Sequence, residues 1–195
     1  MKAFYKVKRA QQVIEPLIGR DSLIGLIFQL FEGLKDMFDK STSNKGFKTM
    51  KFVEDKMLRF FEGDDRNPYF EAVYISFYHY YHQMQEHSTD HSVENQRFIS
   101  KQIAHYLEKC LIIQMLSYGK YHTSVLSTFY GLGEAYLRLD DPAKALHYLR
   151  EAVDVRNKVG AKDDLFDIHV GLKIAQASPH ENQEETFKSL DRVWG

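Results

Sequence analysis

Five histidines between residues 79 and 105 are the side chains of this sequence best suited to metal chemistry. His79 and His82 stand three residues apart, so a helix would place both on one face, where they could share an ion. His87 and His91 follow in a polar segment, and His105 lies further along the chain. No His-Glu-x-x-His motif, Glu-x-x-His motif or pair of cysteines accompanies them. Because four ligands of plausible geometry are not evident, the sequence predicts no metal site and no cofactor.

The residues that could carry acid, base or nucleophilic chemistry also have structural explanations. The pairs Asp64-Asp65 and Asp140-Asp141 fall in predicted turns, where acidic side chains cap helices. The single Cys110 lies on an apolar stripe, which indicates a buried thiol and favours a reducing compartment such as the cytoplasm. Neither a Gly-x-Ser-x-Gly motif nor a glycine-rich phosphate loop is present. The sequence therefore predicts a protein that is not an enzyme.

The segment 69–82 is unusually aromatic, with seven aromatic residues among its first thirteen. A helix distributes them around most of its circumference, which is typical of a helix packed on several sides. Tyrosine adds a second interpretation, because its hydroxyl must find a partner or reach water. The two interpretations are compatible, with Phe70, Val73 and Phe77 buried inside. A peptide groove would then be lined by Tyr74, Tyr78 and Tyr81.

Residues 125–156 show the pattern of two helices that pack against each other. In the first helix Phe129, Leu132, Gly133 and Tyr136 share one face. A glycine inside a helix costs roughly 1 kcal/mol relative to alanine. Gly133 therefore indicates a backbone contact too close for a larger side chain.

The turn and the second helix complete this hairpin. Asp141 is placed as an N-cap, and Pro142 follows at the first helical position, where its missing N–H does no harm. The second helix then presents Ala145, Leu149 and Ala152 along one stripe. Small alanines at both crossing points fit a close antiparallel pair.

At these positions the chain resembles the tetratricopeptide repeat family, over about 34 residues. Phe129 stands where tryptophan is frequent in that family, Leu149 replaces the common aromatic residue, and Asn157 takes the place of the closing proline. The positions that carry the resemblance are Phe129, Leu132, Gly133, Tyr136, Ala145, Leu149 and Ala152. The resemblance implies an antiparallel helical hairpin that binds other proteins.

One such repeat cannot bury its own apolar face, and about three are needed for a stable stack. Upstream, residues 105–119 align with 147–160 at an offset of 42 residues. On that register Ile103, Leu107 and Cys110 take the places of the second-helix core residues. This spacing resembles the kinesin-light-chain type of tetratricopeptide repeat.

Further repeat elements are predicted on both sides of this pair. The loop at 118–123 resembles the longer inter-repeat loop of the same type. Downstream, 165–178 has the pattern of another first helix with Gly171 in the tight position, and 181–194 is predicted as its partner or as a capping helix.

The whole chain is predicted to be all-α, with no segment typical of a strand. Helices are expected near 10–18, 22–38, 47–62, 69–86, 93–117, 124–139, 142–159, 164–177 and 181–193. The hairpins are expected to stack as a short solenoid over residues 91–195, preceded by a helical bundle over 1–90. The two parts are expected to form one continuous structural unit.

Charge and hydropathy exclude two classes of partner. The chain has 26 lysines and arginines against 27 acidic residues, a net charge of −1, which provides no field for nucleic acid. The apolar run from Leu23 to Phe31 is much shorter than the roughly 20 residues needed to span a bilayer. We therefore expect neither nucleic-acid binding nor a membrane span.

The surface predicted to bind a partner is the face of the first helix opposite its core stripe. Stacked hairpins of the tetratricopeptide type commonly hold peptides on this side. One subfamily binds acidic C-termini through lysine and asparagine, but here those places hold Tyr130 and Glu134. The predicted partner-binding residues are Ser127, Tyr130, Glu134, Leu137 and Arg138.

Three functions follow from these observations. The first is a non-catalytic adaptor that binds a peptide or helix of another protein. The second is a structural module of a larger assembly, in which an exposed apolar patch would cause self-association. The third is a ligand- or peptide-sensing regulator that uses the Tyr- and His-rich helix 69–82.

Overall fold

The fold is described from a computed structural model, which covers residues 2–39, 41–160 and 164–178. Within these ranges the chain is helical, without a strand. The helices are α1 (Lys2–Ile18), α2 (Leu23–Phe38), α3 (Ser43–Phe60), α4 (Tyr69–His87), α5 (Val93–Tyr118), α6 (Thr123–Arg138), α7 (Pro142–Val159) and α8 (Asp164–Ala177). The predicted all-α class is confirmed, and the helix predicted at 181–193 lies outside the described residues.

Local capping explains where the helices of the repeat region begin and end. Ser92 accepts a hydrogen bond from the backbone N–H of Asn95 at the start of α5. Asp141 caps α7 through the N–H of Lys144, with Pro142 as the first helical residue, as the sequence predicted. Gly160 ends α7 with a φ of +70°, a conformation that glycine adopts without strain.

Two helix starts differ from the prediction by more than one residue. α1 begins at Lys2 rather than near residue 10. α3 begins at Ser43 rather than near residue 47, and Gly46 is buried within it. A Cβ at residue 46 would lie 2.4 Å from the backbone nitrogen of Met37, so this glycine allows α3 to cross α2 closely rather than ending a helix.

The chain divides into two compact units, Met1–Tyr80 and Tyr81–Gly195, with the division inside α4. In the first unit α2 packs on both α1 and α3. In the second, α6 packs on α5, α7 and α8, and α7 also packs on α8. The domain boundary expected near residue 90, and the continuity of the two parts, remain predictions.

Candidate functional site

The hairpin of α6 and α7 has the packing that its sequence pattern predicts. All seven residues that carry the resemblance are buried. A Cβ at residue 133 would lie 2.6 Å from both Cγ and Cδ2 of Leu149 and 3.5 Å from the carbonyl oxygen of Ala145. The missing side chain of Gly133 is therefore what allows the two helices to approach.

Two polar contacts join α6 to α5 and fix its orientation. Thr128 Oγ1 donates a buried hydrogen bond of 2.8 Å to Gln114 Oε1. The Tyr136 hydroxyl donates one of 2.5 Å to Glu108 Oε1. Burial, followed by this bond to the carboxylate, raises the pKa of Tyr136 well above its ordinary value. With one face of α6 held against α5 and α7, its opposite face is left for other contacts.

The predicted partner-binding residues of α6 fall into two groups by exposure. Ser127 and Arg138 are exposed, whereas Tyr130, Glu134 and Leu137 are half-buried. The Ser127 hydroxyl donates to the carbonyl oxygen of Thr123. The guanidinium of Arg138 donates to the side-chain oxygen of Gln85. The two ends of this face thus remain accessible to solvent.

The half-buried residues Tyr130, Glu134 and Leu137 are covered by α8. The ring of Tyr130 lies 5.5 Å, centroid to centroid, from that of Phe166. Glu134 forms an ion pair of 3.3 Å with Lys173. Leu137 packs against the apolar cluster that includes Val170 and Ile174. These three residues therefore hold the next helix in place and keep only part of their surface for a partner.

α8 adds two residues to this surface that the sequence prediction missed. Gly171 corresponds to Gly133 at an offset of 38 residues, which makes Ile168 and Leu172 the counterparts of Tyr130 and Glu134. Their side chains are 57% and 59% exposed. Equivalent positions on successive first helices line the same surface of a repeat stack. The register of the two glycines, already visible in the sequence, would have identified both residues.

We call this surface the first-helix face. Its chemistry is mainly apolar, with one exposed cation at Arg138 and an internally paired Glu134. Its members are Ser127, Tyr130, Glu134, Leu137, Arg138, Ile168 and Leu172.

The orientation of α8 depends on a joint with α7. The guanidinium of Arg156 forms an ion pair with the carboxylate of Asp167, and both side chains are largely buried. A second nitrogen of the guanidinium donates to Asn157 Oδ1 at 3.0 Å. This joint lies one residue before Ile168, so it positions the part of α8 that belongs to the first-helix face.

The structure does not place the tyrosines of α4 as a groove lining. Phe70, Val73 and Phe77 are fully buried, as predicted. Tyr74, however, is also fully buried, with its hydroxyl 3.3 Å from Asp65 Oδ2, and Tyr81 is 8% exposed. The prediction that these two tyrosines line a groove is therefore wrong, because both side chains are buried.

Of the predicted α4 groove, only Tyr78 keeps partial exposure. Tyr81 instead stacks on Tyr106 of α5 at 5.9 Å, so within the second unit it works as a packing residue. One tyrosine does not make a groove, and the first-helix face is the better candidate for a partner.

Within the described residues, no three histidine, cysteine, aspartate or glutamate side chains come together as a metal-binding group. None of the helices in residues 2–39, 41–160 and 164–178 is long and apolar enough to cross a membrane.

The antiparallel hairpins, the glycine crossing and the offset between α6 and α8 define an α-helical repeat protein. Residues 102–158 match the family described as Tetratricopeptide repeat. Repeats of this family commonly mediate protein–protein interactions and are generally non-catalytic modules. No curated protein matches the chain significantly.

Solved structures give the same fold. A kinesin-light-chain-like protein of Podosopora anserina, with nearly identical TPR-like repeats, superposes with a TM-score of 0.64 at 13% identity, covering 99% of this chain and 86% of that one. A single-substitution variant of it gives 0.63 at 13% identity, covering 98% and 85%. At this identity the likeness establishes the fold, and the predicted stacking of TPR-like hairpins is confirmed.

Proposed function

We propose that this protein is a non-catalytic adaptor that holds an apolar segment of another protein on its first-helix face. The observation that carries the proposal is the exposure of Ile168 and Leu172, at 57% and 59%. In the following repeat these two residues occupy the positions that correspond to Tyr130 and Glu134. Two large aliphatic side chains at successive turns of one helix are costly to leave in water. A bound apolar segment would shield both side chains from water.

The charges on this face narrow the type of segment. Glu134 is already paired with Lys173, so it has little attraction left for a basic partner. The Arg138 guanidinium is exposed at the other end of α6 and is suited to a carboxylate or a backbone carbonyl. We therefore propose an amphipathic helix or an extended segment with regularly spaced apolar side chains and an acidic group at one end.

The test is a selection of binding peptides from a random displayed library on the wild-type chain. Leu172→Glu should weaken the selected peptides at least about 10-fold, because a carboxylate would replace an apolar contact. Arg138→Ala should weaken them as well, with little change in helicity, because Arg138 is exposed.

Val93→Glu is the matched control, since Val93 is also exposed and apolar but lies at the start of α5. It should leave affinity unchanged. The proposal is wrong if the peptides bind Leu172→Glu as tightly as wild type.

We place the protein in the cytoplasm, on the grounds that the chain has a single cysteine, Cys110, and that this cysteine is buried. A sequence without a second cysteine for an internal disulfide is typical of proteins that work under reducing conditions. A fluorescent fusion seen in a secretory compartment would contradict this placement.

A further inference from the structure

The guanidinium of Arg138 is held by a side chain of the preceding helical hairpin. It donates a hydrogen bond to the side-chain oxygen of Gln85, on α4. The amide nitrogen of Gln85 in turn donates to Oγ of Ser100, on α5, at 3.4 Å. Ser100 is only 1% exposed, so the far end of this chain of hydrogen bonds is fixed in the core of the second compact unit. Gln85 therefore connects an exposed cation of the first-helix face to a buried anchor.

The acceptor that holds Arg138 is a neutral amide rather than a carboxylate. Lys173, the other cation near this face, is paired with the carboxylate of Glu134 at 3.3 Å. Arg138 has no such ion pair within the described residues. A guanidinium has five N–H donors, and the bond to Gln85 uses one of the two terminal nitrogens. The charge of Arg138 and most of its donors thus remain available to a ligand.

This combination of an oriented side chain and a full charge is what a carboxylate-binding arginine needs. A cation that is already held in one orientation loses less conformational freedom on binding than a freely rotating arginine does. A carboxylate at position 85 would hold the guanidinium as well, but it would also neutralise it. A methylene chain at position 85 would leave the charge but would not orient it. Glutamine provides orientation without neutralisation.

We propose that Gln85 is a positioning residue for partner binding, which holds Arg138 in the orientation that receives an acidic side chain of the bound segment. The inference rests on the proposed adaptor function and adds to it a residue that determines specificity. Gln85 acts through Arg138, and its identity sets the preference for a carboxylate over the corresponding amide at one position of the partner.

The test uses a peptide selected from the displayed library, together with variants in which each acidic residue is replaced by its amide. The wild-type chain should bind the acidic form at least about 5-fold more tightly at one position, and Arg138→Ala should abolish that preference. In Gln85→Glu the preference should fall to within about 2-fold, because the new carboxylate pairs with the guanidinium. Gln85→Met, which keeps the length and neutrality but not the acceptor, should lower the preference at least about 2-fold.

Gln102→Glu is the matched control, since it adds the same charge to a half-buried glutamine of the same unit. Gln102 lies two residues beyond Ser100 on α5, so the two side chains do not share one side of the helix. This variant should keep the wild-type preference. A purely structural role of Gln85 would change the affinities for the acidic and amide peptides equally, and their ratio would stay constant.

Three results overturn the inference: selected peptides without an acidic preference, a wild-type preference in Gln85→Glu or Gln85→Met, and an equal loss of preference in Gln102→Glu. Leu172→Glu distinguishes this failure from that of the adaptor function. If Leu172→Glu weakens both forms of the peptide while the Gln85 variants keep the wild-type ratio, the first-helix face still binds the segment and only the role of Gln85 is wrong. If Leu172→Glu binds as wild type does, the adaptor proposal itself fails.

Discussion

Gly133 determines how closely α6 and α7 can approach. The sequence predicts this role from the cost of glycine in a helix, and the structure gives the contact, with Leu149 atoms 2.6 Å from the position of a Cβ. Gly131, two residues away, is different, since a Cβ there would meet only Leu107 Cδ1 at 3.0 Å. Substitutions at the two glycines therefore distinguish the effect of filling the helix crossing from the general effect of replacing a helical glycine.

We expect Gly133→Leu to lower the free energy of unfolding toward the upper end of roughly 1–3 kcal/mol, because the side chain has no space at the crossing. Gly131→Ala should be nearly neutral, since better helix propensity offsets the slight contact. Urea denaturation of both variants measures the difference. A neutral Gly133→Leu would mean that the hairpin is not packed as described.

Tyr136 gives a prediction that depends on pH. Tyr136→Phe should cost about 1–2 kcal/mol near neutral pH, because Glu108 loses its donor. The folded-state pKa of Tyr136 is raised, so its contribution to stability is present below about pH 10 and is lost as the pH rises further.

The difference in unfolding free energy between wild type and Tyr136→Phe should therefore be constant from about pH 7 to 9 and shrink above about pH 10. Tyr148→Phe is the control, since its hydroxyl makes no hydrogen bond within the described residues while its ring stacks on Tyr136 at 5.5 Å. A difference that grows with pH would contradict the assigned contact.

The tyrosines of α4 show where residue-level prediction stops. Helical spacing correctly predicts that Phe70 and Phe77 are buried. It does not predict that Tyr74 is equally buried, because burial on a second side depends on neighbouring elements that are distant in the sequence. Tyrosine spacing alone looks the same in a groove lining and in a packed helix.

At the scale of helices, sequence patterns locate α4 to α8 to within one residue of the observed bounds. The caps explain this, since Ser92, Asp141 and Pro142 act locally. α3 is missed at its start because Gly46 marks a helix crossing with Met37, and local chemistry cannot distinguish a crossing glycine from a terminating one.

The joint between α7 and α8 should be important for stability. Asp167→Ala should cost about 2 kcal/mol, because it leaves the largely buried guanidinium of Arg156 without its carboxylate. Asp154→Ala removes one partner of the more exposed Lys120 and should cost less than about 1 kcal/mol.

Urea midpoints of the two variants measure this contrast. If Asp167→Ala is as mild as Asp154→Ala, the joint does not hold α8 in place. The position of Ile168 on the first-helix face would then lose its structural basis.

At the scale of the whole molecule, the first-helix face belongs to α6 and α8, whereas α5 aligns with α7 as a second helix. In a repeat stack first and second helices face different sides. Substitutions on the exposed side of α5 should therefore leave partner binding unchanged.

A pair of variants checks this expectation. Leu116→Lys, at an exposed position of α5, should leave the affinity for selected peptides within about 2-fold of wild type, while Leu172→Glu should weaken it at least about 10-fold. Peptide titration of both variants provides the readout. An equal loss of affinity in the two variants would mean that the binding surface is not confined to α6 and α8.

The central claim is that the partner binds the first-helix face, and hydrogen–deuterium exchange with a selected peptide tests it most directly. Backbone amides of α6 and α8, around Tyr130 and Leu172, should gain protection when the peptide binds. The start of α5 near Val93 should be unchanged. Protection confined to α5 or to residues 2–39, with none on α6 and α8, would contradict the account.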